Sequence, residues 1–587
     1  MLVSRCRWFV LYLIKTGGPS AYFSFIFVQV KVFLYIFGVL CIDYVKSESL
    51  VVKTPLGDVT GHLMQTARGK RPVYAFTALP YAEPPVNHLR FQAPVPIKPW
   101  DGIYDATKQP PQCVQRNPYI RQKEIVGQED CLYLNIYTPI LNNDLNSDNN
   151  LLPVMVFIHG GGWMCGDSTT DMYGPQFLLD RDVILVTINY RLGPLGFLST
   201  QDQHCPGNNG LKDQQEALRY LQKVIKSFGG DRKSVTLFGE SAGGASAHYH
   251  MLSKSSAGLF HKAISESGTA LVPWAEAPPG EALRQAFRLA KLLDCPQAPS
   301  DKMLACLRTK DSYEIIDTEY SFYAWDIEPM TPFKAVVEPD LPGAFLTRSP
   351  RKIPEVPAVP WMNGLNKDEG CLKSVWITAN YSKYEEFITG FDTIAPITFY
   401  YDNSPSFDLI TEKVRKQYFS EGSEDVIKDG ILKMYSDSYF DYPAVEAVEL
   451  TFNYTKNPIY LYQLSYRASN SFSQIFGDPK GDYGVCHADE LMHLFPIHFL
   501  TNPITDQDIV ISDTILSMWT NFATTGDPNK PIKIPTKWEP ATSGSKMQYL
   551  NINVKSSMQS NLAGRSRFWG TVPLWHNINP KRPIDEL

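Results

Sequence analysis

The sequence predicts an α/β fold in which a large, mainly parallel central sheet carries helices on both faces. Segments that are apolar at every position, as in strands buried on both faces, alternate with amphipathic segments of helical length. A hydrophobic content of 44% and a charged content of 20% over 587 residues are globular values, which excludes a disordered chain. The net charge of −6 argues against nucleic acid as a partner. Strands are predicted at residues 154–158, 183–189, 235–238, 263–264, 356–362 and 458–464, and the clearest helix at residues 211–228.

The first 47 residues are predicted to be a signal peptide, and residues 48–587 a single domain. Residues 1–42 contain four basic residues and no acidic ones, and they end in an uninterrupted apolar run at 32–42. Basic residues before an apolar run are typical of a secretory leader. A signal-anchor helix over residues 22–42 is the alternative, and only an uncleaved leader of this kind would attach the protein to a membrane. Both interpretations deliver the remaining chain to an oxidising lumen.

Ten cysteines are consistent with such a compartment. Cys113 and Cys131 lie 18 residues apart, and Cys295 and Cys306 lie 11 apart. Short loops of this kind are plausible disulfides. The other cysteines after the leader show no CxxC or Cys/His pattern of a zinc site, so we interpret them as free or buried thiols. They are Cys165, Cys205, Cys371 and Cys486.

Two glycine-rich motifs carry the chemistry. Gly239-Glu240-Ser241-Ala242-Gly243 follows the strand at 235–238 and precedes helix-like sequence, so Ser241 is expected on a sharp strand-to-helix turn above the sheet edge. His159-Gly160-Gly161-Gly162-Trp163 follows the strand at 154–158. Amides in this loop, together with that of Ala242, could surround a developing oxyanion. The pair of motifs predicts an α/β-hydrolase fold with a serine nucleophile.

A serine nucleophile needs a base and an orienting acid, which follow in the order serine, acid, histidine in α/β-hydrolases. Glu369 comes just after the strand at 356–362, and His487 lies late in the chain. The order Ser241, Glu369, His487 therefore fits. On the residues alone, Asp368 competes with Glu369 as the acid, and His493 competes with His487 as the base.

Longer motifs resemble one family. Residues 228–243 (FGGDRKSVTLFGESAG) are similar to the active-serine signature of the type-B carboxylesterases, the cholinesterase-like family. Residues 129–135 (EDCLYLN) resemble the second signature of that family, and shorter matches follow in order as far as residues 525–529 (TGDPN). The resemblance covers residues from about 50 to about 570. It implies an enzyme that hydrolyses carboxylic esters, with small-molecule esters as partners and neither a metal nor an organic cofactor.

The resemblance also implies the site, position by position. The matching residues are the nucleophile Ser241, the acid Glu369, the base His487, the oxyanion-hole residues Gly161, Gly162 and Ala242, and the disulfides Cys113–Cys131 and Cys295–Cys306. Glu240 and Ser267 match buried polar positions near the triad, and Trp274 matches a residue of the acyl pocket. We expect Trp163 and Trp274 to line the substrate cavity, where apolar rings suit acyl chains or neutral alcohols.

Departures from individual members narrow the function. The loop closed by Cys113 and Cys131 has Tyr119 as its sole aromatic residue and lacks the tryptophan with which cholinesterases bind choline, so neutral esters are the predicted substrates. Juvenile hormone esterases typically carry Gln where this sequence has Glu240. A general carboxylesterase resembling the insect type is therefore favoured over a juvenile hormone esterase. A non-catalytic adhesion protein of the same fold is the alternative from another class, but its triad is usually broken.

The sequence also carries signals of location and processing. Asn380 and Asn453 begin Asn-x-Ser/Thr sequons and are predicted glycosylation sites in a secreted protein. The terminal Ile584-Asp585-Glu586-Leu587 resembles an endoplasmic-reticulum retrieval signal. Secretion is the prediction, and retention in the endoplasmic reticulum lumen is its alternative.

Overall fold

A large sheet of eleven strands forms the centre of the protein. The computed structural model describes residues 50–141, 150–352, 354, 356, 358–419, 422–544, 547–572 and 574. Within them the strands are β1 Val51–Thr54, β2 Gly57–Thr60, β3 His62–Gln65, β4 Pro72–Pro80, β5 Ile103–Asp105, β6 Tyr133–Thr138, β7 Leu152–Ile158, β8 Ile184–Ile188, β9 Gly230–Glu240, β10 Lys262–Glu266, β11 Trp361–Asn366, β12 Ile459–Leu464, β13 Gln548–Ile552 and β14 Ser557–Ser560. The large sheet has the order β14-β13-β12-β11-β10-β9-β7-β8-β6-β4-β3, and β1, β2 and β5 form a small separate sheet.

The middle of the large sheet is parallel and buried. Seven neighbouring strands, from β8 through β7 and β9 to β13, run in parallel, whereas the outer strands β6, β4, β3 and β14 pair antiparallel. Strands β8, β10 and β11 are buried at every residue. Strands of this kind need cover on both faces, which helices supply. The predicted α/β-hydrolase fold is thereby confirmed.

Helices connect the strands and cover the sheet. They are α1 Thr170–Tyr173, α2 Gly193–Phe197, α3 Asn209–Val224, α4 Ala242–Leu252, α5 Glu281–Leu292, α6 Ser300–Leu307, α7 Ser312–Asp317, α8 Cys371–Ala379, α9 Tyr381–Thr389, α10 Phe391–Thr398, α11 Phe407–Tyr418, α12 Glu424–Ser436, α13 Tyr442–Thr451, α14 Leu491–Leu494 and α15 Asp506–Thr525. The predicted helix at 211–228 corresponds to α3 followed by the 3₁₀ turn Ile225–Phe228. None of the described helices is both long and apolar enough to cross a membrane.

One strand lies later in the chain than predicted. The expected strand at 356–362 is displaced to β11, which begins directly after Pro360. Proline has no N–H to donate to a strand ladder, so the ladder starts where the prolines end. The displacement matters for the site, because β11 ends at Asn366 and Glu369 follows within one short turn.

The chain divides into two compact units, Met1–Val51 and Val52–Leu587. Nearly all of the first unit lies outside the described residues. The predicted signal peptide over residues 1–47 and the terminal Ile584-Asp585-Glu586-Leu587 also lie outside them.

Candidate active site

Ser241 occupies the turn between β9 and α4. Its φ of 57° and ψ of −120° are a backbone conformation that residues other than glycine rarely adopt. Two hydrogen bonds hold the turn. The Ser241 amide donates to the Glu266 carbonyl at 2.8 Å, and the Ser241 carbonyl accepts from the Ala245 amide at 2.9 Å. The turn is therefore fixed by β10 on one side and by α4 on the other.

Glycines allow the two motif loops to touch. A Cβ atom on Gly243 would lie 1.9 Å from the carbonyl oxygen of Ile158, and one on Gly160 would lie 3.0 Å from the Cβ of Ser241. The loops meet because β7 and β9 are parallel neighbours, with Ile158 opposite Gly239. The loop predicted to bind an oxyanion therefore packs directly against Ser241.

The residues predicted to form the oxyanion hole lie around this contact. Gly161 has a φ of 94° and Gly162 a φ of 61°, so the loop takes a path that side chains would strain. Ala242 is the first residue of α4, and the first amides of a helix have no partner within the helix. Gly161 and Gly162 line the same cavity as Ser241. The arrangement can supply three amide donors to an anionic oxygen.

Glu369 and His487 meet although 118 residues separate them. The Glu369 Oε2 atom lies 2.6 Å from His487 Nδ1. Its Oε1 atom accepts from the Ser267 hydroxyl at 2.5 Å and from the Asn366 amide at 2.7 Å. Glu369 is fully buried. Its carboxyl group is thus held from one side and oriented towards the imidazole on the other.

The competing acid and base lie apart from this pair. Asp368 Oδ2 accepts from the Val485 amide at 2.9 Å, and burial raises the pKa of this carboxyl group. Burial lowers the pKa of His493 to about 4. Neither Asp368 nor His493 is among the residues that line the cavity with Ser241. The structure brings Glu369 and His487 together and gives Asp368 a bracing role between two loops.

The other ring nitrogen of His487 faces Glu240. Its Nε2 atom lies 3.0 Å from Glu240 Oε1, and no described hydrogen bond joins Nε2 to Ser241 Oγ. Ser241, Glu240 and His487 all line one cavity, and catalytic hydrogen bonds are often long without substrate. Burial lowers the pKa of His487, but the charges of Glu240 and Glu369 outweigh burial and raise this pKa to about 9. Burial also raises the pKa of Glu240.

Two further buried carboxyl groups extend the site, and the sequence analysis missed both. The Ser267 hydroxyl lies 3.2 Å from Glu490 Oε1, and the Asn366 side-chain amide donates to Glu490 Oε2. Glu266 Oε1 accepts from the Trp519 indole N–H at 2.5 Å. Burial raises the pKa of both glutamates, which favours their neutral forms. Glu490 could have been found from the sequence, because it lies three residues after His487.

The described chain contains three disulfides where two were predicted. Cys113–Cys131 and Cys295–Cys306 are present as expected. A third bond joins Cys371 to Cys486, so the interpretation of these two residues as free thiols is wrong. A separation of 115 residues hid the pairing, because only the fold brings the two loops together. Cys165 and Cys205 are free and buried, as predicted.

A cavity of about 630 Å³ opens onto Ser241. Trp163 and Trp274 were expected to line it, and this expectation is wrong, because neither is among the lining residues. Both are fully buried with ring centroids 5.9 Å apart, and the Trp163 indole N–H donates to Ser246 Oγ in the core at 3.0 Å. The aromatic side chains that line the cavity are Tyr119, Tyr173, Phe472, Phe476 and Phe499.

The remaining predicted sites lie at the surface. Asn380 and Asn453 are both exposed. Asn380 caps α9 by accepting from the Lys383 amide through Oδ1 at 3.2 Å, which leaves its side-chain nitrogen, the atom that carries a glycan, outside this hydrogen bond. Among the described residues, no group of three His, Cys, Asp or Glu is arranged to hold a metal ion.

Comparison with known proteins identifies the family of the chain. A model of the "Carboxylesterase family" matches residues 48–569. The chain is 36% identical over 508 residues to a juvenile hormone esterase of Tribolium castaneum, covering 83% of this chain and 85% of the relative. It is 36% identical over 544 residues to venom carboxylesterase-6 of Apis mellifera, covering 90% and 95%. It is also 35% identical over 507 residues to a medium-chain fatty acyl-CoA hydrolase precursor of Anas platyrhynchos, covering 82% and 86%.

Proposed function

Because the chain belongs to the carboxylesterase family and is a serine carboxylic ester hydrolase, we propose that it hydrolyses neutral carboxylic esters through a Ser241, His487 and Glu369 triad. The observation that carries the proposal is the 2.6 Å contact of Glu369 with His487 Nδ1, in a ring that lines the same cavity as Ser241. The glycine loop against Ser241 supports it by offering oxyanion donors.

In the proposed reaction, His487 Nε2 takes the proton of Ser241 as Oγ attacks the ester carbonyl. The carbonyl oxygen becomes an anion that the amides of Gly161, Gly162 and Ala242 stabilise; one such donor is typically worth about 3–4 kcal/mol. Glu369 holds the imidazole tautomer and stabilises the imidazolium. The imidazolium then protonates the departing alcohol, and water hydrolyses the acyl-enzyme by the same route.

The charges around His487 set the working pH of this mechanism. The imidazole must be neutral to accept a proton, and the pKa of His487 is raised to about 9 because Glu240 and Glu369 outweigh the effect of burial. The rate should therefore increase as the pH rises towards that value. In this mechanism Nε2 accepts the proton of the Ser241 hydroxyl, so it must exchange its contact with Glu240 Oε1 for one with Ser241.

The walls of the cavity support neutral substrates. Phe472, Phe476 and Phe499 present apolar faces to the cavity. The lining residues include no tryptophan, the side chain that would bind a cationic alcohol group best. Matched kinetics on a naphthyl ester and a choline ester of the same acyl chain test this. We expect a clearly higher kcat/KM for the naphthyl ester. Equal or better turnover of the choline ester would show that Tyr119 or Tyr173, with Glu240, forms a cation site.

Juvenile hormone esterase is the second candidate, because a relative with that name is 36% identical over 83% of this chain. Glu240 stands where such enzymes typically carry Gln, which favours the general esterase. Turnover of juvenile hormone and of a naphthyl ester by the same preparation separates the two. A much higher kcat/KM for the hormone would establish the second candidate.

We further propose that the protein enters the secretory pathway and is released without residues 1–47, carrying glycans on Asn380 or Asn453. The support is the leader pattern, three disulfides and two exposed sequons. Intact mass and N-terminal sequencing of the expressed protein test this. Retention of the leader in a membrane fraction would favour the signal-anchor alternative. Increased secretion after deletion of residues 584–587 would establish retention in the endoplasmic reticulum.

A further inference from the structure

The third disulfide joins the two loops that carry Glu369 and His487, the residues that the proposed mechanism requires to be in contact. Cys371 follows Glu369 by two residues and begins α8, and Cys486 immediately precedes His487. Their Cα atoms are 5.4 Å apart, within the ordinary range for a disulfide, and both residues are fully buried. The bond therefore crosses from the acid-bearing loop to the histidine-bearing loop within two residues of each functional side chain.

Hydrogen bonds join the same two loops beside the disulfide. The Asp368 amide donates to the Val485 carbonyl at 2.9 Å, and the Val485 amide donates to Asp368 Oδ2 at 2.9 Å. The Asn366 side-chain amide donates to the Cys486 carbonyl at 2.8 Å. These bonds fix the main chains, and the disulfide adds a covalent link. Because 118 residues separate Glu369 from His487 along the chain, their contact depends on tertiary links of this kind.

We propose that the Cys371–Cys486 disulfide is a positioning bond for the active site, which holds the Glu369 carboxylate against His487 Nδ1. Cys371 and Cys486 touch neither substrate nor the reacting atoms and act only through these neighbours. The inference rests on the proposed function of the triad. It predicts that loss of the bond impairs the chemical step more than substrate binding, since a misplacement of about 1 Å can cost about a hundredfold in rate.

The alternative is a disulfide that only stabilises the fold. It closes a loop of 115 residues, which is the longest of the three, so its loss will lower thermal stability under either interpretation. The readout must therefore be one that stability alone does not move. The acidic limb of the pH profile is such a readout, because the ring of His487 faces Glu369 and Glu240, with Glu490 nearby, and their charges raise its pKa. Movement of Glu369 away from the imidazole would by itself lower the pKa of His487.

The experiment compares two disulfide deletions in the full-length protein. One variant combines Cys371→Ser with Cys486→Ser. The control combines Cys295→Ser with Cys306→Ser, whose bond joins the segment after α5 to α6 and has no residue lining the cavity. For the first variant we expect kcat on a naphthyl ester to fall about 10- to 100-fold, with KM changed less than about threefold. We also expect the acidic limb of kcat/KM to move to lower pH. The control should keep the wild-type kcat and pH profile.

Other results would overturn the inference. They are a fall in melting temperature with unchanged kcat and pH profile, or peptide mapping of the native protein that finds Cys371 and Cys486 as thiols. If the serine variant does not fold, a Cys371→Ala and Cys486→Ala variant and graded reduction of the wild-type protein provide the same readouts. An inactive wild-type protein would instead contradict the proposed function, so the two failures are distinguishable.

Discussion

The two halves of the candidate active site are held in different ways. Ser241 and the glycine loop follow adjacent parallel strands, β9 and β7, and glycines let these loops pack backbone to backbone. Glu369 and His487 belong to loops that side-chain hydrogen bonds and a disulfide bring together. The nucleophile half is thus rigid through the sheet, whereas the acid and base half depends on a few specific bonds. Substitutions that disturb the glycine packing should therefore displace the backbone of the nucleophile half, whereas the acid and base half should be sensitive to the loss of single side-chain contacts.

The largest effect is expected at the nucleophile. Ser241→Ala removes the attacking oxygen and leaves the packing of the turn intact, so kcat/KM should fall by at least about 10⁴-fold while the melting temperature stays close to wild type. The same serine should be the stoichiometric target of an organophosphate. Peptide mapping that placed the adduct on another serine would contradict the assignment.

The acid and base half can be tested with two neighbouring residues of similar shape. Glu369→Gln should lower kcat by about 10³- to 10⁴-fold, because the amide no longer stabilises the imidazolium and can hold the wrong tautomer. Asp368→Asn is the matched control. The side-chain oxygen of the new asparagine can still accept from the Val485 amide, as Asp368 Oδ2 does in the wild type, so kcat should fall less than about tenfold. Steady-state kinetics on a naphthyl ester decide the ranking, and a reversed order would identify Asp368 as the acid.

The backbone packing of the nucleophile half can be broken without touching a triad residue. A Cβ on Gly161 would lie 2.2 Å from the Cys165 carbonyl oxygen, so Gly161→Ala must displace the oxyanion loop and should cost about 10²- to 10³-fold in kcat. Gly258→Ala is the control, because Gly258 also has a positive φ but nothing within 4 Å of an added Cβ. Equal activity of the two variants would show that the loop donates nothing to the transition state.

The smallest expected effect is a shift in pH dependence. Glu240→Gln removes a negative charge 3.0 Å from His487 Nε2, so the pKa of His487, raised to about 9 in the wild type, should fall. A neutral imidazole then persists to lower pH, and the acidic limb of kcat/KM should move down by about one pH unit or more. Titration of kcat/KM from pH 5 to 10 checks this. A limb that stays in place would mean that Glu240 is uncharged in the working enzyme.

The same contrast explains what the sequence could predict. Strand-turn-helix motifs are local, so the GxSxG turn, the glycine loop and their predicted neighbourhood follow from short stretches of sequence. Order along the chain reduced the acid and base to Glu369 or Asp368 and His487 or His493, but only tertiary structure shows which side chain turns inward. The family resemblance, rather than spacing, selected the pair that the structure brings together.

The predictions that proved wrong also depend on tertiary structure. The Cys371–Cys486 pair could not be recognised because neither residue has a partner nearby in sequence. Trp163 follows the glycine loop directly, but its side chain is buried in the core and not in the cavity wall. Its backbone has a left-handed φ of 58°, and its indole N–H donates to Ser246 Oγ. The wall of the cavity comes instead partly from Tyr119 and other residues of the loop that Cys113 and Cys131 close, and partly from Phe472, Phe476 and Phe499.

The strained backbone at Ser241 has a consequence for evolution and engineering. A non-glycine residue at φ 57° and ψ −120° costs on the order of 1–3 kcal/mol, which the surrounding fold must offset. A glycine there would relax the turn, so Ser241→Gly should melt at a higher temperature than Ser241→Ala although both are inactive. Selection for thermal stability alone would therefore remove the nucleophile, and its persistence requires selection for turnover.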